Sequence, residues 1–168
     1  MTNKLSLKDF SFTSKISTRW KDLDAFQHVN NAVFASYVEN ARVEFFMRWG
    51  LPSDGKGKSI IVASLNLDYV MQVKHPSDLI IGQKVTNIGN TSFVITSVVF
   101  ESKGNVVAIS KITSVCYDFD SQKSVPVYDK IKADYNKWKY EGQRPYLFIY
   151  QFLFYTQGLY IIQVILKK

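Results

Sequence analysis

The residues best suited to chemistry lie in one short polar loop, residues 22–31, whose sequence is Asp-Leu-Asp-Ala-Phe-Gln-His-Val-Asn-Asn. The loop precedes a segment in which apolar residues recur at helical spacing. A carboxylate close to a helix N-terminus combines a base with backbone N–H groups that have no intrahelical partner. Carbonyl chemistry uses both features, so the loop favours a site that acts on a carbonyl group.

The helix after the loop has a recognisable start, face and end. Asn30 or Asn31 is a natural N-cap, because its side-chain oxygen can accept a hydrogen bond from a free N–H within the first turn. Gly50 and Pro52 predict the end of the helix. Between them, large apolar residues form one face, at Phe34, Tyr37, Val38, Ala41, Phe45 and Trp49. A helix this apolar needs a broad surface to cover it.

The pattern changes to period two after the helix, which predicts β-strands. Strands are predicted at 65–71, 79–88, 92–101 and 106–119, in addition to a first strand at 13–20. The order of elements predicts an α+β fold, in which a curved antiparallel sheet wraps around one long central helix. Strand edges of this length are often paired with a second subunit.

Composition and charge limit the classes of function. The chain of 168 residues is 46% hydrophobic and carries a net charge of +7. The charge indicates either a solvated basic surface or an anionic ligand such as a phosphate. No nucleic-acid-binding motif is present. The single cysteine, Cys116, fits a buried, inert thiol in a reducing compartment, and no signal peptide is visible, so we expect a cytoplasmic protein.

The C-terminal segment differs from the rest of the chain. We divide the sequence into a domain at 1–143 and a hydrophobic tail at 144–168, because residues 146–166 contain no charge. The tail is long enough to span a bilayer, but on a helix its three glutamines would lie on three different sides. It is interpreted as an added element at a subunit interface, as a membrane anchor, or as a segment that is not integral to the domain. Membrane contact through the tail is the less favoured of these interpretations.

Several catalytic patterns are absent from the sequence. There is no Gly-x-Ser-x-Gly nucleophile motif, no Gly-x-Gly-x-x-Gly dinucleotide motif and no complete phosphate-binding loop. The two histidines, His28 and His75, have no metal-ligand spacing with a cysteine or with each other. The sequence therefore gives no reason to expect a metal.

Residues 19–31 and 37–42 together resemble the hotdog-fold acyl-CoA thioesterases of the 4-hydroxybenzoyl-CoA thioesterase type. They are also similar to the corresponding loop of acyl-carrier-protein thioesterases. The resemblance covers roughly residues 15–131, and the strand half matches mainly by pattern. It implies a hotdog fold assembled as a homodimer or homotetramer, an acyl-CoA substrate, and no metal or prosthetic group.

The resemblance also implies roles for individual residues. Asp24 corresponds to the catalytic carboxylate, which attacks the thioester directly or activates water. The backbone N–H of Asn31 or its neighbour corresponds to the donor that polarises the carbonyl. His28 orients the loop or donates to substrate, and Phe26 adds an apolar wall to the acyl site. Glu39 is the rival base, since other hotdog thioesterases take their carboxylate from this helix.

The same residues also allow purely structural interpretations. Asp22 and Asp24 are residue types that form turns and that favour helix N-termini. His28 can shape the turn through a local hydrogen bond. Glu39 can pair with Arg42 at i,i+3 on the helix surface. These alternatives stay open from the spacing alone.

Two positions depart from the family pattern. Gln27 stands where the family often has Gly before the His, which predicts an ordinary negative φ at this position. Phe26 stands where carrier-protein thioesterases carry Asn, which favours coenzyme A over a carrier protein. A non-catalytic acyl-thioester-binding protein and a carrier-protein thioesterase remain the alternative functions. Candidates for binding the phosphates of coenzyme A, each of which can equally be a solvated surface charge, are Lys74, Lys84, Lys103 and Lys111.

Overall fold

A computed structural model describes residues 5–51 and 55–141. In chain order the elements are β1 (Phe12–Ser17), α1 (Asn31–Met47), β2 (Lys58–Tyr69), β3 (Asp78–Ile88), β4 (Ser92–Glu101), β5 (Val106–Asp118), β6 (Lys123–Ser124) and α2 (Asp129–Glu141). Short 3-10 turns lie at Leu7–Asp9 and Trp20–Asp22. The strands form one antiparallel sheet in the order β1-β3-β4-β5-β2, with the short β6 paired to β5.

The sheet curls around α1, as the sequence predicts. The apolar face of the helix, from Phe34 to Phe45, is buried against one face of the sheet. Ile81, Ile95 and Ile112 contribute to this core from the three central strands. Burial of large side chains of this kind contributes about 1.5–3 kcal/mol each. The predicted α+β hotdog fold is therefore confirmed, and so is the burial of Cys116.

The predicted strands match the observed ones except at β1 and β2. Strand β1 ends at Ser17, because the chain turns away into the 3-10 turn at Trp20–Asp22. Strand β2 begins at Lys58, seven residues before the predicted start at residue 65, and ends at Tyr69, two residues before the predicted end at residue 71. A register shift between Val62 and Ser64 interrupts the alternation, and the consecutive residues Ser59, Ile60 and Ile61 are all half-buried. The period-two signal is therefore lost over its first half.

Helix α2 was not predicted, because its sequence is rich in lysine and polar residues and shows little apolar periodicity. It is held at the C-terminal end of α1 by specific contacts. Arg48 forms an ion pair with Asp134 at 2.6 Å, and the Lys130 Nζ donates to the Trp49 carbonyl at 2.8 Å. Burial raises the pKa of Asp134, and Arg48 opposes this shift.

The N-terminal segment covers part of the opposite face of the sheet. Phe10 packs there with Val98 and Phe100. The absence of a side chain at Gly82 makes room for it, since a Cβ at that position would lie 2.6 Å from the Phe10 ring. Lys84 is only 7% exposed and its Nζ lies 5.6 Å from the centre of the Phe10 ring. The prediction that Lys84 is a surface charge available to phosphate is therefore wrong.

Strand β2 leaves one long edge of the sheet unpaired within the described part of the chain. Apolar side chains are exposed along it, at Val62, Leu65 and Tyr69. The tail at 144–168 and the predicted helix stop at Pro52 lie outside the described residues. Among the helices that are described, none has the length and apolar character needed to cross a membrane.

Candidate active site

The loop before α1 folds back on itself as a tight hairpin. The Asn30 N–H donates to the Asp22 carbonyl at 2.8 Å, and the Asp24 N–H donates to the His28 carbonyl, also at 2.8 Å. Leu23 and Val29 form a bridge between these two pairs. The Val29 N–H then donates to a carbonyl in the segment after β2. These bonds fix the hairpin against both the helix start and the sheet.

The Asp24 carboxylate lies inside the turn of this hairpin. Its Oδ1 accepts hydrogen bonds from the backbone N–H groups of Phe26 at 2.8 Å and His28 at 3.1 Å. Asp24 therefore has the turn-forming role that the sequence allowed. Both bonds use Oδ1, so this arrangement leaves Oδ2 available to a substrate or a water molecule. A turn-forming role and a catalytic role are compatible.

The backbone at Gln27 corrects one sequence expectation. Gln27 has a φ of +62°, in the left-handed region, where an ordinary negative value was predicted. The turn around the Asp24 carboxylate requires this conformation, because the Gln27 N–H also donates to the Asp24 carbonyl at 3.1 Å. A side chain in this region costs about 1–2 kcal/mol. The prediction failed because hydrogen bonds of the hairpin outweigh this local preference.

The start of α1 provides a donor next to this carboxylate. Asn30 is the N-cap: its side chain accepts from the Ala32 N–H at 2.9 Å, and its carbonyl accepts from the Val33 N–H. Within residues 5–51 and 55–141, the Asn31 N–H has no hydrogen-bond partner. The Asn31 carbonyl accepts from the Tyr69 hydroxyl at 2.8 Å, which ties the helix start to the end of β2.

A cavity of about 590 Å³ brings most of the predicted site residues together. It lies between the hairpin, the start of α1 and the end of β2. Asp24, Phe26, His28 and Asn31 all line it, as does the 69–72 segment. Phe26 is 80% exposed, so it offers the cavity an apolar wall with few other contacts.

Glu39 does not line this cavity. Its carboxylate is exposed and forms an ion pair with Arg42 at 3.0 Å, which is the i,i+3 contact that the spacing allowed. Burial lowers the pKa of Arg42, and Glu39 opposes this shift. The substrate-binding or rival-base role of Glu39 stays a prediction.

The structure assigns Asp22 a position that the sequence did not indicate. Asp22 is only 2% exposed, and its carboxylate accepts hydrogen bonds from the Arg19 N–H at 2.8 Å and the Tyr37 hydroxyl at 2.5 Å. The Arg19 guanidinium adds an ion pair at 3.0 Å. Burial opposes ionisation of Asp22, but these donors outweigh burial and lower its pKa. Burial and the nearby carboxylate together raise the pKa of Tyr37.

This network joins the hairpin to the second turn of α1. Tyr37 is fully buried in the core, so it holds the Asp22 end of the hairpin in place. The contact could not be found from spacing, because it joins a turn residue to a core residue fifteen positions later. The spacing of Tyr37 showed only that it belongs to the apolar face of the helix.

The family of the chain follows from a family model, described as the thioesterase-like superfamily, that matches residues 18–134. The chain belongs to this superfamily. The matched range contains the hairpin, α1 and all of the long strands except β1. Family membership confirms the expected thioesterase family and the expected class of thioester hydrolase.

Individual relatives agree with this assignment. The chain is 27% identical to the long-chain acyl-CoA thioesterase FadM of Escherichia coli (strain K12) over 127 residues, which cover 71% of this chain and 92% of FadM. The structure of PA2801, a putative thioesterase from Pseudomonas aeruginosa, is 26% identical, with a TM-score of 0.70, covering 74% of this chain and 97% of that one. A thioesterase from Thermus thermophilus, solved with coenzyme A and Zn, is 26% identical, with a TM-score of 0.66, covering 75% of this chain and 98% of that one.

Among the residues that the structure describes, no group of three or more His, Cys, Asp or Glu side chains is placed to hold a metal ion. The sequence expectation that the protein uses neither a metal nor a prosthetic group stays a prediction.

Proposed function

We propose that this thioesterase hydrolyses acyl-CoA, with Asp24 and the Asn31 N–H as the groups that act on the thioester. The supporting observation is that both groups line one cavity, where the carboxylate retains Oδ2 and the N–H has no other partner among the described residues. The names of FadM and of the coenzyme A complex support coenzyme A as the carrier. Water is the second substrate, and the products are a carboxylate and free coenzyme A.

The Asn31 N–H acts on the carbonyl oxygen. As the carbonyl carbon is attacked, negative charge develops on that oxygen, and a donor at the positive end of the helix dipole stabilises it. A single donor of this kind contributes roughly 10²–10³ in rate. Asp24 removes a proton from the attacking water, or attacks the carbonyl carbon itself. On the general-base route, the C–S bond breaks as the tetrahedral intermediate collapses, and Asp24 returns the proton taken from water to the leaving sulfur, which gives the thiol of coenzyme A. On the nucleophilic route, the C–S bond breaks as an acyl-Asp24 anhydride forms; water then hydrolyses this anhydride, which restores the Asp24 carboxylate, releases the carboxylate product and supplies the proton for the thiol.

Apolar side chains around the cavity hold the acyl group. Phe26 and Met71 lie at the exposed side, while Phe34 and Tyr69 meet edge to face with ring centres 5.7 Å apart. These residues provide contact surface rather than hydrogen bonds, which is typical of acyl-binding sites. The backbone carbonyl of His28 accepts a hydrogen bond that holds the hairpin. In this proposal the His28 side chain, which lines the same cavity, donates a hydrogen bond to the substrate.

The active assembly in this proposal is a homodimer or a homotetramer in the cytoplasm. The edge of β2, which has no partner strand among the described residues, and its exposed apolar side chains are suited to pairing with a second copy. Strand β2 ends at Tyr69, which lines the cavity, so such a partner would lie beside the site. Size-exclusion chromatography with light scattering tests this part of the proposal, and a monomer at micromolar concentration would contradict it.

The reaction is tested by thiol release from short, long and aromatic acyl-CoA thioesters. We expect Asp24→Asn to lower kcat by about 100-fold or more. The variant should fold normally, because the asparagine Oδ1 can accept the same two backbone hydrogen bonds. Glu39→Gln makes the same carboxylate-to-amide change outside the cavity, and we expect it to retain most of the activity.

The outcomes separate the alternatives. Loss of activity in Glu39→Gln together with normal turnover in Asp24→Asn would transfer the base role to Glu39. No thiol release from any acyl-CoA, with release from an acyl-carrier-protein thioester, would assign a carrier-protein thioesterase. Thioester binding without release from either carrier would assign a binding protein, in which the carboxylate of Asp24 serves only the turn.

A further inference from the structure

Trp20 is an exposed aromatic residue two positions before the buried Asp22. The indole is 72% exposed, although its ring meets that of His75 edge to face, with ring centres 6.4 Å apart. The side chain is therefore held on one side and open to solvent over most of its surface. A held aromatic ring with an open face provides a stacking surface for a planar heterocycle.

Trp20 and His75 lie on the two chain segments that also line the cavity: Trp20 precedes the hairpin, and His75 follows the 69–72 segment. At one end, the Val29 N–H donates to the Val73 carbonyl at 2.8 Å. At the other end, the Thr18 hydroxyl lies 3.1 Å from the His75 Nδ1. Trp20 lies four residues before Asp24. Their Cα atoms are therefore at most about 14 Å apart, since each residue spans at most about 3.6 Å.

Two lysines are the chain neighbours of Trp20 and His75. Lys21 follows Trp20, and Lys74 precedes His75; both are exposed. The charge of Arg19 is already matched by Asp22 at 3.0 Å, so the two exposed lysines are the positive charges of this region that we assign to the ligand. Lysine ammonium groups beside a stacking surface match a planar base that carries phosphates.

We propose that Trp20, Lys21 and Lys74 form a platform that binds the adenine and phosphate groups of the coenzyme A portion of the substrate. The proposal rests on the proposed acyl-CoA substrate. The pantetheine arm of coenzyme A separates its thioester from its nucleotide, and here it spans the distance from Asp24 to Trp20. Of the four lysines considered from the sequence, the proposal selects Lys74 and excludes the buried Lys84.

The test compares acyl-CoA with the same acyl group on pantetheine, which lacks the nucleotide. The quantity measured is the ratio of kcat/KM on acyl-CoA to kcat/KM on acyl-pantetheine. We expect Trp20→Ala to lower this ratio about tenfold, mainly through the KM for acyl-CoA, because the stacking contact is lost. Lys21→Ala and Lys74→Ala should each lower it by a smaller factor and make it less sensitive to salt.

Phe26→Ala is the matched control, because it removes another highly exposed aromatic side chain from the same part of the chain. Phe26 lines the cavity, where both substrates place their acyl group. We therefore expect Phe26→Ala to change both kcat/KM values together and to leave their ratio nearly unchanged. A ratio that Trp20→Ala leaves unchanged would overturn the platform while leaving the thioesterase function intact.

A direct measurement of coenzyme A binding tests the platform independently of the proposed thioesterase activity. Coenzyme A should quench the tryptophan fluorescence of the full chain, and the quenching should disappear in Trp20→Phe, because Trp49 is buried and Trp138 lies on α2. If no thioester is hydrolysed, the proposed function fails, and the quenching measurement still supports or overturns the platform by itself. Trp20-dependent sedimentation with phosphatidylserine vesicles, without quenching by coenzyme A, would overturn it in favour of a membrane contact.

Discussion

The hydrogen bond between Tyr37 and Asp22 offers a sharp test of how the hairpin is held. The Tyr37 hydroxyl donates to a buried carboxylate at 2.5 Å. Hydrogen bonds to a charged group contribute about 1.5–3 kcal/mol, against about 0.5–1.5 kcal/mol for neutral pairs. We therefore expect Tyr37→Phe to lower the free energy of unfolding by about 1.5–3 kcal/mol at pH 7. For a chain of this size, this corresponds to a fall in Tm of about 3–12 °C.

Tyr128→Phe is the matched control. The Tyr128 hydroxyl is partly buried, whereas that of Tyr37 is fully buried, and it donates to two backbone carbonyls, those of Ser59 at 2.8 Å and Tyr117 at 3.2 Å. Removing it breaks bonds to neutral acceptors, so we expect a loss of about 0.5–1.5 kcal/mol. Burial raises the pKa of Tyr128 to about 12, so its hydroxyl stays protonated throughout the experiment.

The pH dependence distinguishes the two variants further. The pKa of Asp22 is lowered in the folded protein, so its contribution to stability is fully present above its unfolded pKa of about 3.9. That contribution is lost as the pH falls through the lower folded value. Tyr37→Phe removes one donor to the carboxylate and so raises the folded pKa of Asp22; the difference in unfolding free energy between wild type and variant should therefore shrink as the pH falls through the two folded pKa values. The difference for Tyr128→Phe should stay nearly constant.

The measurement is urea unfolding of both variants and the wild type between about pH 2 and pH 7, a window that extends well below the ordinary carboxyl pKa. Two results together would refute the view that Asp22 is held as a buried, charged acceptor. They are an equal loss of unfolding free energy in the two variants at neutral pH, and a difference between wild type and Tyr37→Phe that does not shrink in acid. A difference in unfolding free energy between wild type and Tyr37→Phe that increases in acid would also refute it, because the expected change is a decrease.

Two further predictions concern the backbone. Gln27→Gly should change the free energy of unfolding by less than about 1 kcal/mol, because relief of the left-handed conformation offsets the greater entropy of glycine in the unfolded chain. The β-branched side chain of Gln27→Val should instead lower the free energy of unfolding by more than about 1 kcal/mol. Thermal unfolding compares the two variants, and a valine variant as stable as wild type would contradict the φ of +62°. Gly82→Ala should cost about 1–3 kcal/mol, because the added Cβ would lie 2.6 Å from the Phe10 ring. In a Phe10→Ala background most of this cost should disappear, and a cost that persists there would show that the contact is not its cause.

Elements with a regular pattern could be predicted from the sequence. The face of α1 from Phe34 to Phe45 follows the helical period, and β3, β4 and β5 follow the period of two, so their bounds agree closely with the structure. The first half of β2 was not predicted, because three consecutive apolar residues, Ile60, Ile61 and Val62, and the register shift after them leave it without apolar alternation. Helix α2 was missed for a similar reason, since polar contacts and the buried Ile131 hold it rather than a broad apolar face.

The candidate site divides in the same way. Residue types and chain order place Asp24, His28 and Asn31 next to a helix start, because these relations are local. The closure of the cavity by Tyr69 from the other side, and the hold of Tyr37 on Asp22, arise only when the chain folds. Such contacts join residues that are distant in the chain, so no local pattern records them. The order of residues thus sets which groups are available for chemistry, and the packing of α1 against the sheet selects which of them meet.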